Sequence, residues 1–221
     1  MDALIFDIET GPEVEEVLSA MEPEFSAPAN FKDPVKIAEK IEAQRAAWRE
    51  KAALCATTGR VLAIGMMLDE ERSLLVINEE ESFLEADLLK AFWDVAAPSG
   101  MWRHLVGFNS NRFDIPFLIR RSYKLGVAVP FGALNGRYLN PRFIDLMDTW
   151  RLGDFQASIS LDRLARHLGV GAKNGNGAYF AEQLKEDREV ALDYLRNDID
   201  MTVAVARKLG VLAPATKELA Y

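Results

Sequence analysis

Hydrophobic positions change period several times along the chain, and each change marks an element. Residues Ala3 to Ile8 open with the apolar run LIF and pass into the alternating DIET, the pattern of a buried strand that Gly11-Pro12 ends. Glu13 to Thr58 separates this strand from the next. Pro23, Pro28 and Pro34 make its first half loop and short helical turns. In its second half Asp33 can cap, Pro34 suits a first turn, and Ile37, Ile41 and Trp48 keep helical spacing among Lys, Glu and Arg. The stretch reads as an inserted helical arm at about 12–58, packed on the domain surface or serving as a lid or dimer contact.

Arg60 to Leu68 and Ser73 to Ile77 are strand-like, joined by the acidic turn Asp69-Glu70-Glu71. Phe83, Leu84, Leu88, Phe92 and Val95 share one face of a helix over 81–96. Leu105 to Phe108 is a short apolar strand. A helix follows over 115–125, opened by Asp114 with Pro116 in its first turn. Phe143 to Met147 reads as a strand. Ser160 caps a helix over 161–168 that Gly169 ends. Lys173 to Gly177 (KNGNG) is a flexible turn, and a long helix over 187–209 stops at Gly210. Irregular alternation of strands and helices predicts an α/β fold with a mixed sheet.

The chain has 221 residues, 49% of them hydrophobic and 27% charged, enough apolar mass for one domain spanning 1–221 with a real core. Its apolar runs fall well short of the roughly 18–20 residues that cross a bilayer, so no membrane association is expected. The first ten residues carry acid instead of a basic leader segment. The single Cys55 makes no internal disulfide, which suits a reducing, cytoplasmic setting and excludes a cysteine zinc site. His104 and His167 are too few for a histidine-rich metal site. The net charge of −8 argues against a protein that coats nucleic acid through bulk charge. It is compatible with an enzyme touching nucleic acid at one place, because carboxylates gathered round cations lower the formal charge.

Three elements carry candidate chemistry. Asp7 and Glu9 lie two apart on a strand and therefore project from one face. Side by side in an apolar segment they repel, and a hard divalent cation such as Mg²⁺ or Mn²⁺ removes that conflict; exposed acids at a strand end are the plainer alternative. In the second element, GFNSNRFD, a short strand delivers Asn109 and a helix begins at Asp114. Asp114 could equally be a helix cap, and Asn109 a turn brace. In the third, Tyr194 and Asp198 stand four apart on one helix face, where a phenol beside a carboxylate is placed to orient a water. An exposed tyrosine on an acidic helix is the alternative there.

Taken in order, FDIET, N-x-x-x-F-D and Y-x-x-x-D resemble the three motifs of the DEDD superfamily of 3′–5′ exonucleases, in its tyrosine branch. The nearest likeness is to the proofreading exonuclease domain of family-B DNA polymerases and to stand-alone exonucleases built like it. TTGRVLAIG, SLDRLARHLG and GAKNGNG extend the resemblance from Asp2 to about Leu209; the arm near 12–58 lies outside it. The resemblance implies a ribonuclease H-like fold: a five-stranded mixed sheet flanked by helices, with the first motif on the central strand. It implies four carboxylates, Asp7, Glu9, Asp114 and Asp198, holding two divalent cations, Mg²⁺ or Mn²⁺, with Asp7 bridging. Tyr194 matches the residue that orients the attacking water, and Asn109 and Phe113 match positions beside the 3′-terminal nucleotides. The implied partner is a single-stranded nucleic acid, DNA or RNA, with a free 3′ end; the product is a nucleoside 5′-monophosphate. A fold that grips a 3′ end without cutting is the alternative, against which stands the complete set of four acids and the tyrosine.

Arg112, Arg120, Arg121 and Lys124 cluster round the second motif, and Lys173 sits in the KNGNG turn. These are candidate phosphate contacts, with Arg112 foremost through its nearness to Asp114. Asp145 and Asp148 are read as turn and cap residues or as acids supporting the site. His167, in the last turn of its helix, is read as structural.

Overall fold

The computed structural model describes residues 2–78 and 80–214. Strand β1 (Ala3–Pro12) runs through the Gly11-Pro12 pair expected to end it, because Gly11 and Pro12 still pair with Arg60 and Gly59. Helix α1 (Glu15–Met21) and the longer α2 (Pro34–Glu50) form the arm. Asp33 caps α2 by accepting from the Val35 amide, and Pro34 takes the first turn, as the sequence predicts. No residue of α2 is buried. Ion pairs from Arg45 to Glu22 and from Arg49 to Glu15 and Glu22 tie it to α1 and its following loop, with Trp48 edge-on to Phe25. A single 3₁₀ turn, Ala52–Leu54, leads back to the sheet.

The meander β2 (Gly59–Leu68) and β3 (Glu71–Val76) turns at Asp69 and Glu70, both at positive φ. Helix α3 (Glu85–Ala96) begins four residues later than its apolar pattern suggests, because Phe83 pairs back with Asn78 in an isolated bridge. Then come β4 (His104–Gly107), α4 (Asp114–Leu125), the small hairpin of β5 (Leu134–Asn135) with β6 (Tyr138–Leu139), and β7 (Phe143–Asp145). The strand expected over 143–147 is cut short by Asp145, which accepts from the Met147 amide and opens α5 (Leu146–Arg151). Helix α6 (Leu161–Leu168) has its Ser160 cap and left-handed Gly169; α7 (Phe180–Glu186) and α8 (Arg188–Lys208), capped by Asp187, complete the fold.

Among the described residues the main sheet has five strands in the order β3-β2-β1-β4-β7. The pairs β1/β2 and β2/β3 are antiparallel; β1/β4 and β4/β7 are parallel. The sheet is thus mixed, with β1 at its centre. The period of two along β1 divides the core. Leu4, Phe6 and Ile8 face the layer of α3 and α4, joining Leu88, Phe92, Ile115 and Leu118. Ala3 and Ile5 face the opposite layer with Leu161, Leu164 and Ile199 from α6 and α8. Helix α8 lies close against the sheet at Gly65, where a Cβ would come within 2.7 Å of Ile199.

The sequence reading of Arg121 as a phosphate contact is corrected here. Arg121 is 1% exposed, its guanidinium bonded to both carboxylate oxygens of Glu85 at 2.8 and 2.6 Å and to Glu13 at 2.7 Å. Lys124 shares that Glu13 oxygen at 2.5 Å. A cation surrounded by core is held there by its acids, and Glu85 in turn accepts from the Val61 amide, locking α3 to β2. Arg121→Met should therefore leave Glu85 buried without its partner and cost about 3–5 kcal/mol, read as a lower urea midpoint with little change in slope.

Candidate active site

Odd-numbered positions of β1 face α8, so Asp7 and Glu9 point at the helix that carries Tyr194 and Asp198. A register shift in the β1/β2 pairing falls immediately after Glu9. Such a bulge re-aims the side chains beside it. Asp7, Glu9 and Asp198 offer carboxylate oxygens that all lie within 4.8 Å of one another. Glu9 and Asp198 are buried and Asp7 is half-buried. Asp198 and Tyr194 meet because four residues make about one helical turn, as their spacing predicts.

Asp114 arrives from the other layer. Phe113, not Asp114, caps α4 in backbone geometry. The Asp114 carboxylate instead crosses to the central strand and accepts from the Ile8 amide at 3.2 Å. It lies outside the tight trio of oxygens but near enough to raise the proton affinity of Asp7. The loop before it is set by Asp145, which accepts from the Asn109 and Asn111 amides at 2.8 and 3.0 Å while capping α5. Asp145 therefore holds the loop and the helix start, the turn-and-cap role expected of it.

Lys173, a candidate phosphate contact, reaches into the acidic cluster. Its ammonium donates to the Tyr194 hydroxyl at 2.6 Å and pairs with Oδ2 of Asp198. Its own amide donates to Asp162 at the start of α6, which fixes where the turn begins. The glycines that follow let the turn close over the site: a Cβ on Gly175 would lie 2.8 Å from the Tyr194 ring, and one on Gly177 3.1 Å from its hydroxyl and 3.4 Å from Glu9. The N-G-N-G spacing was the visible signal; that it packs on a tyrosine twenty residues away was not.

The remaining candidates separate into two hollows. Asn109, at φ +58°, lines a cleft of about 360 Å³ together with Asp7, Ser160, Lys173 and Asp198. Arg112 and Phe113 line a neighbouring hollow instead. Arg112 stands 3.8 Å from Asp148 and over the Phe155 ring. His167 packs edge-on against Trp150, as a structural residue would.

Electrostatics follow from burial. Desolvation, then the charges of Asp114 and Asp198, hold the Asp7 carboxyl well above the usual range. Glu9 is raised by desolvation and then by Asp7 and Asp198. Burial lifts Asp114 to about 7. Asp198 is raised by burial against the opposing pull of Lys173. Burial and the surrounding acids also push the Tyr194 phenol up, so it stays neutral. The donor set suits a hard cation: carboxylate oxygens only, with Oδ1 of Asp198 buried and unpartnered. The residues present fit a divalent ion.

A mixed five-stranded sheet with helices on both faces and an acidic cluster on its central strand defines a ribonuclease H-like exonuclease fold. The chain belongs to the family described as predicted 3′-5′ exonucleases related to the exonuclease domain of PolB, whose model matches residues 54–209. That match takes in Asn109, Asp114, Tyr194 and Asp198; Asp7 and Glu9 precede it. DNA polymerase 2 of Aeropyrum pernix is 33% identical over 124 residues, covering 47% of this chain and 15% of the polymerase. The family B DNA polymerase of Pyrobaculum calidifontis superposes with a TM-score of 0.60 over 95% of this chain and 24% of that one, at 20% identity. The chain thus spans well under a third of the length of either relative.

The raised carboxyls have a consequence for stability. Each binds its proton more tightly folded than unfolded, so between about pH 4 and about pH 7, where Asp114 titrates, the folded chain carries the extra protons. Stability in chelator should then fall as pH rises through that window. Asp7→Asn should flatten the fall and raise the melting temperature above pH 7, measured by calorimetry across the range. A melting temperature that climbs with pH would contradict the burial of these acids.

Proposed function

We propose that the chain is a metal-dependent 3′–5′ exonuclease that hydrolyses single-stranded DNA, or RNA, and releases nucleoside 5′-monophosphates. The observation that carries this reading is the convergence of Asp7, Glu9 and Asp198 beside Tyr194. The likeness to two DNA polymerases favours DNA. Asp7, Glu9, Asp114 and Asp198 would hold two divalent cations, Mg²⁺ or Mn²⁺. Bound ions of this kind acidify a water and offset the charge that develops on the phosphate and the departing 3′ oxygen. The chain's own groups do the rest. Tyr194, neutral at working pH, offers a hydroxyl that orients the attacking water. Asn109 and the cleft it lines receive the terminal nucleotide. Lys173 brings a positive charge to the same place, available to a phosphate oxygen. Asp145 acts through the Asn109 and Asn111 amides and positions the loop.

The test uses 5′-labelled linear single strands in Mg²⁺ or Mn²⁺. A ladder shortening by single nucleotides is expected, lost in chelator and restored by metal. Closed circles of the same sequence should survive, and frayed ends should be cut faster than blunt duplex, since unpaired bases leave the stack at least cost. Circles cut at the rate of linear strands would establish an endonuclease, and full binding of a 3′ end with no turnover would establish a gripping module.

Tyr194→Phe should lower the rate by about 10²–10⁴-fold with metal affinity nearly unchanged by titration calorimetry. Asp198→Asn should weaken both. Indistinguishable metal affinities for the two variants would overturn the division of labour.

A further inference from the structure

A groove runs along α4 whose lining plays no part in the proposed chemistry, and whose far end against α1 lies outside the residues that the family model matches. One side is α4 and the residues leading into it, with Arg112, Phe113, Phe117 and Arg120; the other is the Leu54–Thr57 turn at the end of the arm. This hollow, of about 300 Å³, continues past Thr57 and Arg120 into a second of about 610 Å³ against Val17 and Met21 of α1. It starts at Arg112 and Phe113, whose amides donate to the carbonyl of Asn109, the residue that lines the cleft, so groove and cleft are lined by residues of one turn.

The chemistry of the groove differs from that of the rest of the surface. The chain is net −8, yet Arg112, Arg120 and Lys124 line this face, Arg112 3.8 Å from Asp148 and Lys124 paired with Glu13. Arg120 is exposed and forms no ion pair among the described residues. Four residues of helix advance about 6 Å, so Arg120 and Lys124 stand one turn apart on α4. Phe113 is half-buried with its ring 5.5 Å from Phe117, and the floor beyond is apolar. A row of cations beside an aromatic edge and an apolar floor fits a polyanion bearing flat apolar groups, which is a single-stranded nucleic acid. Glu16 lines the far end and would repel phosphate there, which limits the track to a few nucleotides.

Resting on the exonuclease reading above, we propose that this groove carries the strand on the 5′ side of the 3′ end, its phosphates following Arg112, Arg120 and Lys124 and a base covering Phe113. The arm is then the second wall of a strand track.

The test is done in an Asp7→Asn background with Mg²⁺, so that the strand stays intact, using fluorescent deoxyoligonucleotides of two and eight nucleotides. Arg120→Glu should weaken binding of the eight-mer at least tenfold and the two-mer less than twofold, and reduce the salt slope by about one. Thr57→Lys, a cation added to the opposite wall, should tighten the eight-mer. Cys55, the one cysteine, is exposed at the rim and serves as reporter. Eight-mers with an activated disulfide on a single base should be trapped by exchange when that base lies several nucleotides from the 3′ end, and poorly when it is the terminal base. Equal losses at both lengths, no loss, or trapping without register would overturn the track; a groove that seats a protein segment gives the second of these. If trapping keeps its register while the wild-type chain digests no strand in Mg²⁺ or Mn²⁺, the track stands and the exonuclease reading falls. If the wild type digests strands and Arg120→Glu binds the eight-mer normally, the track alone falls.

Discussion

Carboxylates gathered where water is scarce are the constraint round which this molecule is arranged. Asp7, Glu9 and Asp198 bring their oxygens within 4.8 Å of one another at buried or half-buried positions, and Asp114 adds a fourth acid across the strand. Like charges in such a place raise one another's proton affinity and oppose folding when ionised. The fold tolerates them through several devices: the Ile8 amide donates to Asp114, Lys173 pairs with Asp198, and β1 is clamped by neighbours on both sides. One oxygen of Asp198 is left without a partner. That residual cost is the kind that persists at a working site.

The sheet solves the geometric half of the problem. A strand places two acids on one face with apolar residues between them on the other, and the central strand has helices over both faces. Asp7 and Glu9 thus meet α8, while Leu4, Phe6 and Ile8 anchor the strand in the α3–α4 layer. The parallel β1/β4 pair brings the end of β4 to the same edge, and the loop after it delivers Asn109 and Asp114 from the opposite layer. Three motifs far apart in the chain become one site because the strand order reverses direction at β1.

The second buried charge cluster serves the fold, not the chemistry. Arg121 with Glu85 and Glu13 joins α4, α3 and the end of β1, and it fixes the helix whose first residue is Asp114. The two clusters flank the central strand from opposite layers. One is neutralised within itself, Arg121 and Lys124 against Glu85 and Glu13; the other is in excess negative charge and suits an added cation. The difference in net charge, not in burial, separates the structural cluster from the candidate active site.

Much of this was legible in the sequence, and the legible part is local. The capping of α2 and α6, the acidic hairpin turn, the shared face of Asp7 and Glu9, and the pairing of Tyr194 with Asp198 all depend on residues within one or two turns of each other. The order of the three motifs carried the family resemblance. What tertiary structure alone decided is which charges face which. Arg121 and Arg120 are adjacent in sequence, yet one is sealed in the core and the other lies open on a groove. Asp114 has the sequence of a helix cap and instead holds the Ile8 amide. Lys173 has the sequence of a loose surface turn and sits on Tyr194 and Asp198. Arg112 and Phe113, beside Asp114 in the chain, line a different hollow from Asp7. Local pattern sets backbone and face through sterics and period, but the partner of a charged side chain is chosen by long-range packing, which brings together residues that no spacing along the chain relates.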